Sequence, residues 1–246
     1  MQRYFIDQTL QIHHPFEIDS DDLHHIKHVM RLQNQDQIIC IDKNKKTYLA
    51  KIENINQGTI EPIELIDVNN ELDIEVTLIY AMPKGDKFEM VLQKATELGV
   101  TRIIPMQTKR CVAKLTLEKF NKKVTRYKKI LKEASEQSLR SQIPEIMPVI
   151  QLKDIESYLG DYNLVAYEET AKANKHGQLA LTLQQICPGD HLVIIVGSEG
   201  GFDAQEVEFL NGLGVKNCSL GKRILRSETA PLYLLSVIGY SREILK

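Results

Sequence analysis

The sequence predicts an α/β protein in which a C-terminal domain with a parallel sheet follows a small β-barrel. Three observations carry this reading. Residues 1 to about 70 contain short segments of alternating apolar and polar residues separated by turns. From about Leu72 onward, compact apolar runs alternate with segments at helical spacing, the pattern of a parallel sheet covered on both faces. The length of 246 residues, with 43% apolar and 26% charged, is enough for two unequal domains that need no metal or disulfide staples.

In the first part, Gln37 to Ile41, Thr47 to Ile52 and Glu61 to Leu65 read as strands, with turns such as Asp42-Lys43-Asn44-Lys45 between them. Ser20-Asp21-Asp22 supplies helix-capping residues, and Leu23, Ile26, Val29 and Met30 follow at helical spacing, so one short helix interrupts the barrel. The polar stretch Asp67 to Glu71 reads as a linker, dividing a barrel over 1–70 from a second domain over 73–246.

In the second part the strands are Ile74 to Met82, Arg102 to Gln107, Asn163 to Tyr167, Leu192 to Val196 and Lys216 to Leu220. Phe88, Val91, Leu92, Ala95 and Leu98 form the apolar stripe of a helix that Gly99 terminates. Val124, Tyr127, Ile130, Leu131, Ala134 and Ser138 mark a second long helix, ended near Pro144. Further helices are expected near Gly177 to Ile186, Asp203 to Leu213 and Thr229 to Leu245, the last more apolar than one buried face requires and so suited to a partner.

Several classes are excluded or demoted. No apolar run approaches the roughly 20 residues of a membrane span. The N-terminus lacks the apolar core and cleavage site of a secretory signal, so a cytoplasmic location is expected. Cys40, Cys111, Cys187 and Cys218 are scattered with no C-x-x-C pair, so they are expected to be reduced core residues rather than zinc ligands or disulfides. His24 and His28 lie one helical turn apart with His25 between them, but no third ligand stands at a recognised spacing, and no metal is expected.

The net charge of -2 hides an uneven distribution. Ile52 to Pro83 holds seven acids and no Lys or Arg, whereas Arg102 to Lys132 holds eleven basic residues against the single acid Glu118. A solvated helix face explains one run such as Lys119, Lys122 and Lys123. The extent of the stripe favours a polyanionic partner, because each neutralised phosphate releases counterions.

Two loops carry the chemistry. In Leu192 to Glu206 a buried strand runs through Gly197, Gly200 and Gly201 into a helix whose start resembles a capping box, Asp203 with Glu206. Such a turn presents bare backbone to a ligand. Its spacing matches neither G-x-G-x-x-G nor a P-loop nor G-x-S-x-G, which demotes dinucleotide binding, triphosphate hydrolysis and an esterase elbow. The second loop, Ser219 to Pro231, places Ile224 and Leu225 where a solvated connector has no use for them, between Arg223, Arg226 and Glu228. Glycine-bearing loops at the carboxyl ends of neighbouring strands are where a ligand crevice is expected in an open α/β sheet.

The pair Val196-Gly-Ser-Glu-Gly-Gly-Phe202 and Leu220-Gly-Lys-Arg-Ile-Leu-Arg-Ser-Glu-Thr-Ala230 resembles the signature loops of the SPOUT methyltransferases of the RsmE family. Lys84 to Gly99 is similar to the first-helix motif of that family, and Glu133 to Ser138 with Arg140 and Pro144 to its second. Arg3-Tyr-Phe5 and His25 to Leu32 resemble its N-terminal PUA-like barrel, so the likeness covers the whole chain. Ser198 stands where many relatives carry Pro.

The resemblance implies a trefoil-knotted α/β domain, an exception to unknotted topology. It also implies S-adenosylmethionine-dependent methylation of N3 of a uridine in the decoding region of 16S ribosomal RNA, by a homodimer with its pocket at the subunit interface. On this reading Arg226 stabilises charge developing on the base, with Glu228 or Glu199 orienting groups or accepting a proton. Cofactor contacts are expected from Gly197, Glu199, Gly200, Gly201, Leu220, Gly221, Arg223, Ile224, Leu225 and Ala230, with Tyr167 and Glu168 closing the pocket. RNA phosphates are expected at Arg3, Arg31, Lys84, Lys87, Arg110, Lys114, Arg126 and Arg140. The competing readings are a non-catalytic RNA-binding protein with a vestigial methyltransferase domain, and a phosphate-binding metabolic enzyme using the Gly197 to Gly201 turn.

Overall fold

The computed structural model describes residues 1–169 and 177–245. They form two compact units, Met1–Glu71 with Ser135–Gln142, and Leu72–Ala134 with Ile143–Lys246.

The first unit is built on a five-stranded sheet in the order β1 (Arg3–Phe5), β3 (Gln37–Ile41), β4 (Thr47–Asn54), β5 (Thr59–Ile66), β2 (Phe16–Glu17). The β1/β3 pairing is parallel and the rest are antiparallel. Among the described residues no pairing joins β2 to β1, so the sheet is a curled half-barrel. Alternation along β4 sends Tyr48, Ala50 and Ile52 inward, where Tyr4, Ile26, Ile38 and Ile60 complete a fully buried cluster. Helix α1 (Ser20–His24) continues into a π-helical turn over His25–Val29. Its cap is Asp19, one residue before the expected Ser20. The Asp19 carboxylate accepts from the backbone N–H groups of Asp21 and Asp22, both at 2.9 Å.

The second unit carries an all-parallel sheet in the order β12 (Lys216–Cys218), β10 (Tyr162–Ala166), β11 (His191–Val196), β6 (Glu75–Ala81), β7 (Arg102–Gln107), β8 (Glu145–Ile146), with β9 (Ile150–Gln151) also beside β7. Leu192 to Val196 in β11 are at most 2% exposed, each contributing about 1.5–3 kcal/mol by burial. The helices described in full in the chain's second part are α2 (Lys87–Glu97), α3 (Leu117–Gln137), α4 (Gln178–Gln185), α5 (Ala204–Gly212) and α6 (Thr229–Gly239). The capping box of α5 forms as expected, Glu206 N–H donating to Asp203 at 3.0 Å and Asp203 N–H to Glu206 at 3.0 Å.

Differences from the sequence reading have simple causes. Helix α3 begins at Leu117, seven residues before Val124, because its first two turns offer only Phe120 as a buried anchor. Strands β8 and β9 have two residues each, too few to display a period. Cys40, Cys111 and Cys218 are buried, but Cys187 is exposed in the turn after α4. Among the described residues no helix is long and apolar enough to cross a membrane, and no three His, Cys, Asp or Glu side chains gather as a metal site.

Candidate functional site

A cavity of about 480 Å³ opens at the carboxyl ends of the parallel strands of the second unit. Its walls come from Tyr167 and Glu168 after β10, the segment from Val196 at the end of β11 to Phe202 with the exception of Gly200, Cys218 at the end of β12 and Leu220 beyond it, and the Arg223 to Glu228 loop that leads into α6. The two glycine-bearing loops do not follow neighbouring strands: β10 lies between β11 and β12. That intervening strand puts Tyr167 in the middle of the site, its N–H donating to Cys218 O at 3.1 Å.

The β11–α5 turn is a tight reversal. Gly201 N–H donates to Ser198 O at 2.9 Å, and Gly201 takes φ +63°, a left-handed conformation that costs a side-chain-bearing residue about 1–2 kcal/mol. A Cβ on Gly200 would stand 2.9 Å from Arg110 Cβ and 3.2 Å from Arg110 O. That close approach lets Arg110 Nη1 donate to Gly200 O at 3.0 Å and Ser198 Oγ to Arg110 O at 3.3 Å. Gly200 and Gly221 therefore shape their loops without lining the cavity, whereas the other ten expected cofactor-contact positions line it.

The charges of the site centre on Lys87, the first residue of α2. Its ammonium lies 3.1 Å from Glu199 Oε1 and 3.1 Å from Glu228 Oε2. Burial pushes both carboxyls up, but hydrogen bonds outweigh it and hold both below the ordinary carboxylate range. For Glu199 the donors are its own N–H, that of Lys84 and the Lys87 ammonium; for Glu228 they are its own N–H, Lys87 and the Ser227 hydroxyl. Arg226 lines the same cavity, is exposed, and has no ion-pair partner among the described residues. Among the described residues Arg226 forms no ion pair with Glu228, whose carboxylate is taken by Lys87 instead.

Sequence reasoning assigned Lys87 to an RNA phosphate and missed it as a pocket residue. A signal was present: a cation in the first turn of a helix opposes the helix dipole and calls for carboxylate partners from elsewhere. Ser198, Phe202 and Ser227 also line the cavity without having been singled out as contacts.

The remaining cations separate into two groups. Arg3 and Arg140 are 5% and 2% exposed. Arg3 donates to the carbonyls of Leu139 and Arg140, and Arg140 Nε donates to Glu71 at 3.1 Å, so both guanidiniums are consumed inside the first unit and neither is offered to a phosphate. Arg31, Lys84, Arg110, Lys114 and Arg126 are exposed. Arg126 is held by Glu89, with Nη2 2.7 Å from the carboxylate.

Comparison with known proteins agrees with this geometry. The family described as RNA methyltransferase domain matches residues 70–239, and that described as RNA methyltransferase PUA domain matches residues 18–62. The Bacillus subtilis ribosomal RNA small subunit methyltransferase E is 39% identical over 253 aligned residues, covering 100% of this chain and 99% of its own. Its Mesomycoplasma hyopneumoniae counterpart is 34% identical, covering 96% of this chain and 98% of its own. The crystal structure of the Neisseria gonorrhoeae ribosomal RNA small subunit methyltransferase E bound to S-adenosyl methionine superposes with a TM-score of 0.84 at 28% identity, covering 97% of this chain and 96% of that one. With its parallel sheet, its two-loop cavity and full-length relatives of one kind, the chain belongs to the ribosomal RNA small subunit methyltransferase E (RsmE) family, of SPOUT fold with a PUA domain.

Proposed function

We propose that the protein methylates N3 of a specific uridine in the decoding region of 16S ribosomal RNA of the small subunit. S-adenosylmethionine is the cofactor, and the enzyme works in the cytoplasm as a homodimer with a knotted cofactor loop. The observation that carries the reading is Arg226, an exposed cation without an ion-pair partner among the described residues, on a cavity where Glu199 and Glu228 are already paired with Lys87.

The lining fits the cofactor. Phe202, Leu220, Ile224 and Leu225 supply apolar surface for an adenine, and the main chain of the two loops supplies donors and acceptors beside it. When bound, the cofactor supplies an electrophilic methyl group on a sulfonium. The protein then has to orient the acceptor in line with that methyl and stabilise the acceptor's charge. A neutral imide nitrogen is a poor nucleophile, so the N3 proton must leave, and Arg226 is the group suited to hold the resulting negative charge on the base. Glu199 and Glu228, bound to an ammonium, are weak proton acceptors, which favours orientation over general-base work for both. The exposed Arg31, Lys84, Arg110, Lys114 and Arg126 support an RNA substrate, whose target base must be unstacked to reach the cavity.

The test is nucleoside mass spectrometry of ribosomal RNA after small subunits lacking the modification are incubated with the protein and S-adenosylmethionine. Appearance of N3-methyluridine is the expected result. Cofactor binding without product would overturn the assigned acceptor, and absence of cofactor binding would favour the vestigial RNA-binding reading.

A further inference from the structure

Lys87 reaches the cavity from α2, outside both glycine-bearing loops. One ammonium joins Glu199, in the loop after β11, to Glu228, in the loop before α6, at 3.1 Å each. The arrangement is reinforced on both sides. Lys84 N–H donates to the same Glu199 Oε1 at 3.0 Å, and Ser227 Oγ donates to Glu228 Oε2 at 3.2 Å. Both carboxylates are largely shielded, with side-chain exposures of 30% and 14%.

We infer that Lys87 is a positioning residue of this site, tying Glu199 to Glu228 so that the two loops keep the spacing of the pocket and Arg226 is left as the unpaired charge facing the acceptor. The inference rests on the reading of the cavity as the cofactor site. It deepens that reading by giving the first helix of the domain a function in the pocket. Removing the ammonium leaves two shielded carboxylates close together with fewer donors, and burial and mutual repulsion then raise the proton affinity of the pair.

Other groups face the pair without replacing Lys87. Arg223, Arg226 and Glu168 line the cavity, and Lys84 contributes its backbone N–H to Glu199. The Tyr80 phenol, buried on β6, interacts electrostatically with both carboxylates. None of these puts a second cation within ion-pair distance of Glu199 or Glu228 among the described residues.

The experiment is calorimetric titration with S-adenosylmethionine between about pH 5 and pH 7.5, the range in which a released, shielded carboxylate titrates. It is run on the full-length protein, on Lys87→Met and on Lys87→Arg, with thermal unfolding in parallel. The parental protein is expected to bind with a flat pH profile. Lys87→Met is expected to bind about tenfold more weakly at the upper end and to regain affinity toward pH 5, where the pair takes up a proton and its repulsion is relieved, and Lys87→Arg to restore the flat profile. With RNA present, kcat of Lys87→Met should fall further than the affinity, because misplacing a reacting geometry by about 1 Å costs up to a hundredfold. Should Lys87→Met not fold, Lys87→Gln carries the same comparison. Parental affinity and a flat profile in the Met or Gln variant overturn the inference. Failure of the parental protein itself to bind S-adenosylmethionine overturns instead the reading of the cavity.

Discussion

Arg242 forks onto Asp73: Nε and Nη2 donate to the two carboxylate oxygens at 2.8 and 2.7 Å, and Nη1 donates to Ile186 O at 2.9 Å. One guanidinium thereby ties the π-helical turn over Tyr240–Ile244 to Asp73, two residues before β6, and to Ile186, which caps the end of α4. The pair is mostly shielded, with exposures of 11% and 23%, and its two-pronged geometry is the strong form of a charge-assisted bond. Arg242→Ala should lower the unfolding free energy by about 1.5–3 kcal/mol, read from urea denaturation, with the slope unchanged.

Gly200 and Gly201 should respond differently to alanine. Gly201→Ala meets nothing within 4 Å and suffers only its positive φ, so about 1–2 kcal/mol is expected. Gly200→Ala drives a methyl against Arg110 Cβ and the Arg110 carbonyl, which must displace the loop after β7. Thermal unfolding together with cofactor titration separates the two, with the greater loss of binding expected for Gly200→Ala.

Arg226→Ala tests the charge-stabilising role directly. Single-turnover methylation should slow by about a hundred- to a thousandfold, while cofactor affinity stays within about threefold, because the guanidinium is assigned to the acceptor.

The two groups of cations predict different salt behaviour. Lys114→Ala should reduce the log-log slope of RNA affinity against salt by about 0.7–0.9 if it meets a phosphate. Arg140→Ala should leave the slope alone and instead destabilise the first unit by about 3–5 kcal/mol, since it strands Glu71 in a pair exposed by only 3% and 11%. Urea melts and filter binding at several salt concentrations distinguish the outcomes.

His191 makes stability depend on pH. Its Nε2 is 2.8 Å from Thr77 Oγ1, and burial lowers its proton affinity below the ordinary value of 6.5. Glu75 and Asp161 oppose that effect and Arg102 adds to it. The folded chain therefore binds the ring proton less readily than the unfolded chain. This contribution is fully present above pH 6.5 and is lost as pH falls from there through the lower folded-state value. His191→Gln should remove that dependence from melts taken across this interval.

Much was legible in the sequence where a local pattern suffices. Leu192 to Val196 announces a buried strand because five consecutive apolar residues suit only a sheet covered on both faces. Asp203 with Glu206 announces the start of α5 because capping is decided within four residues. The two loops announced themselves by residues with no local use, the glycines after β11 and the apolar pair Ile224 and Leu225. The tertiary structure decided what depends on distant partners. It set β10 between β11 and β12, and it buried Arg3 and Arg140, which composition alone classes with the surface cations. It also brought the Lys87 ammonium within 3.1 Å of both Glu199 and Glu228, residues 112 and 141 positions away. The physical reason is one of range. Hydrophobic period, turns and caps are satisfied by neighbours in sequence, whereas a charge is satisfied by whichever opposite charge the fold brings within about 4 Å.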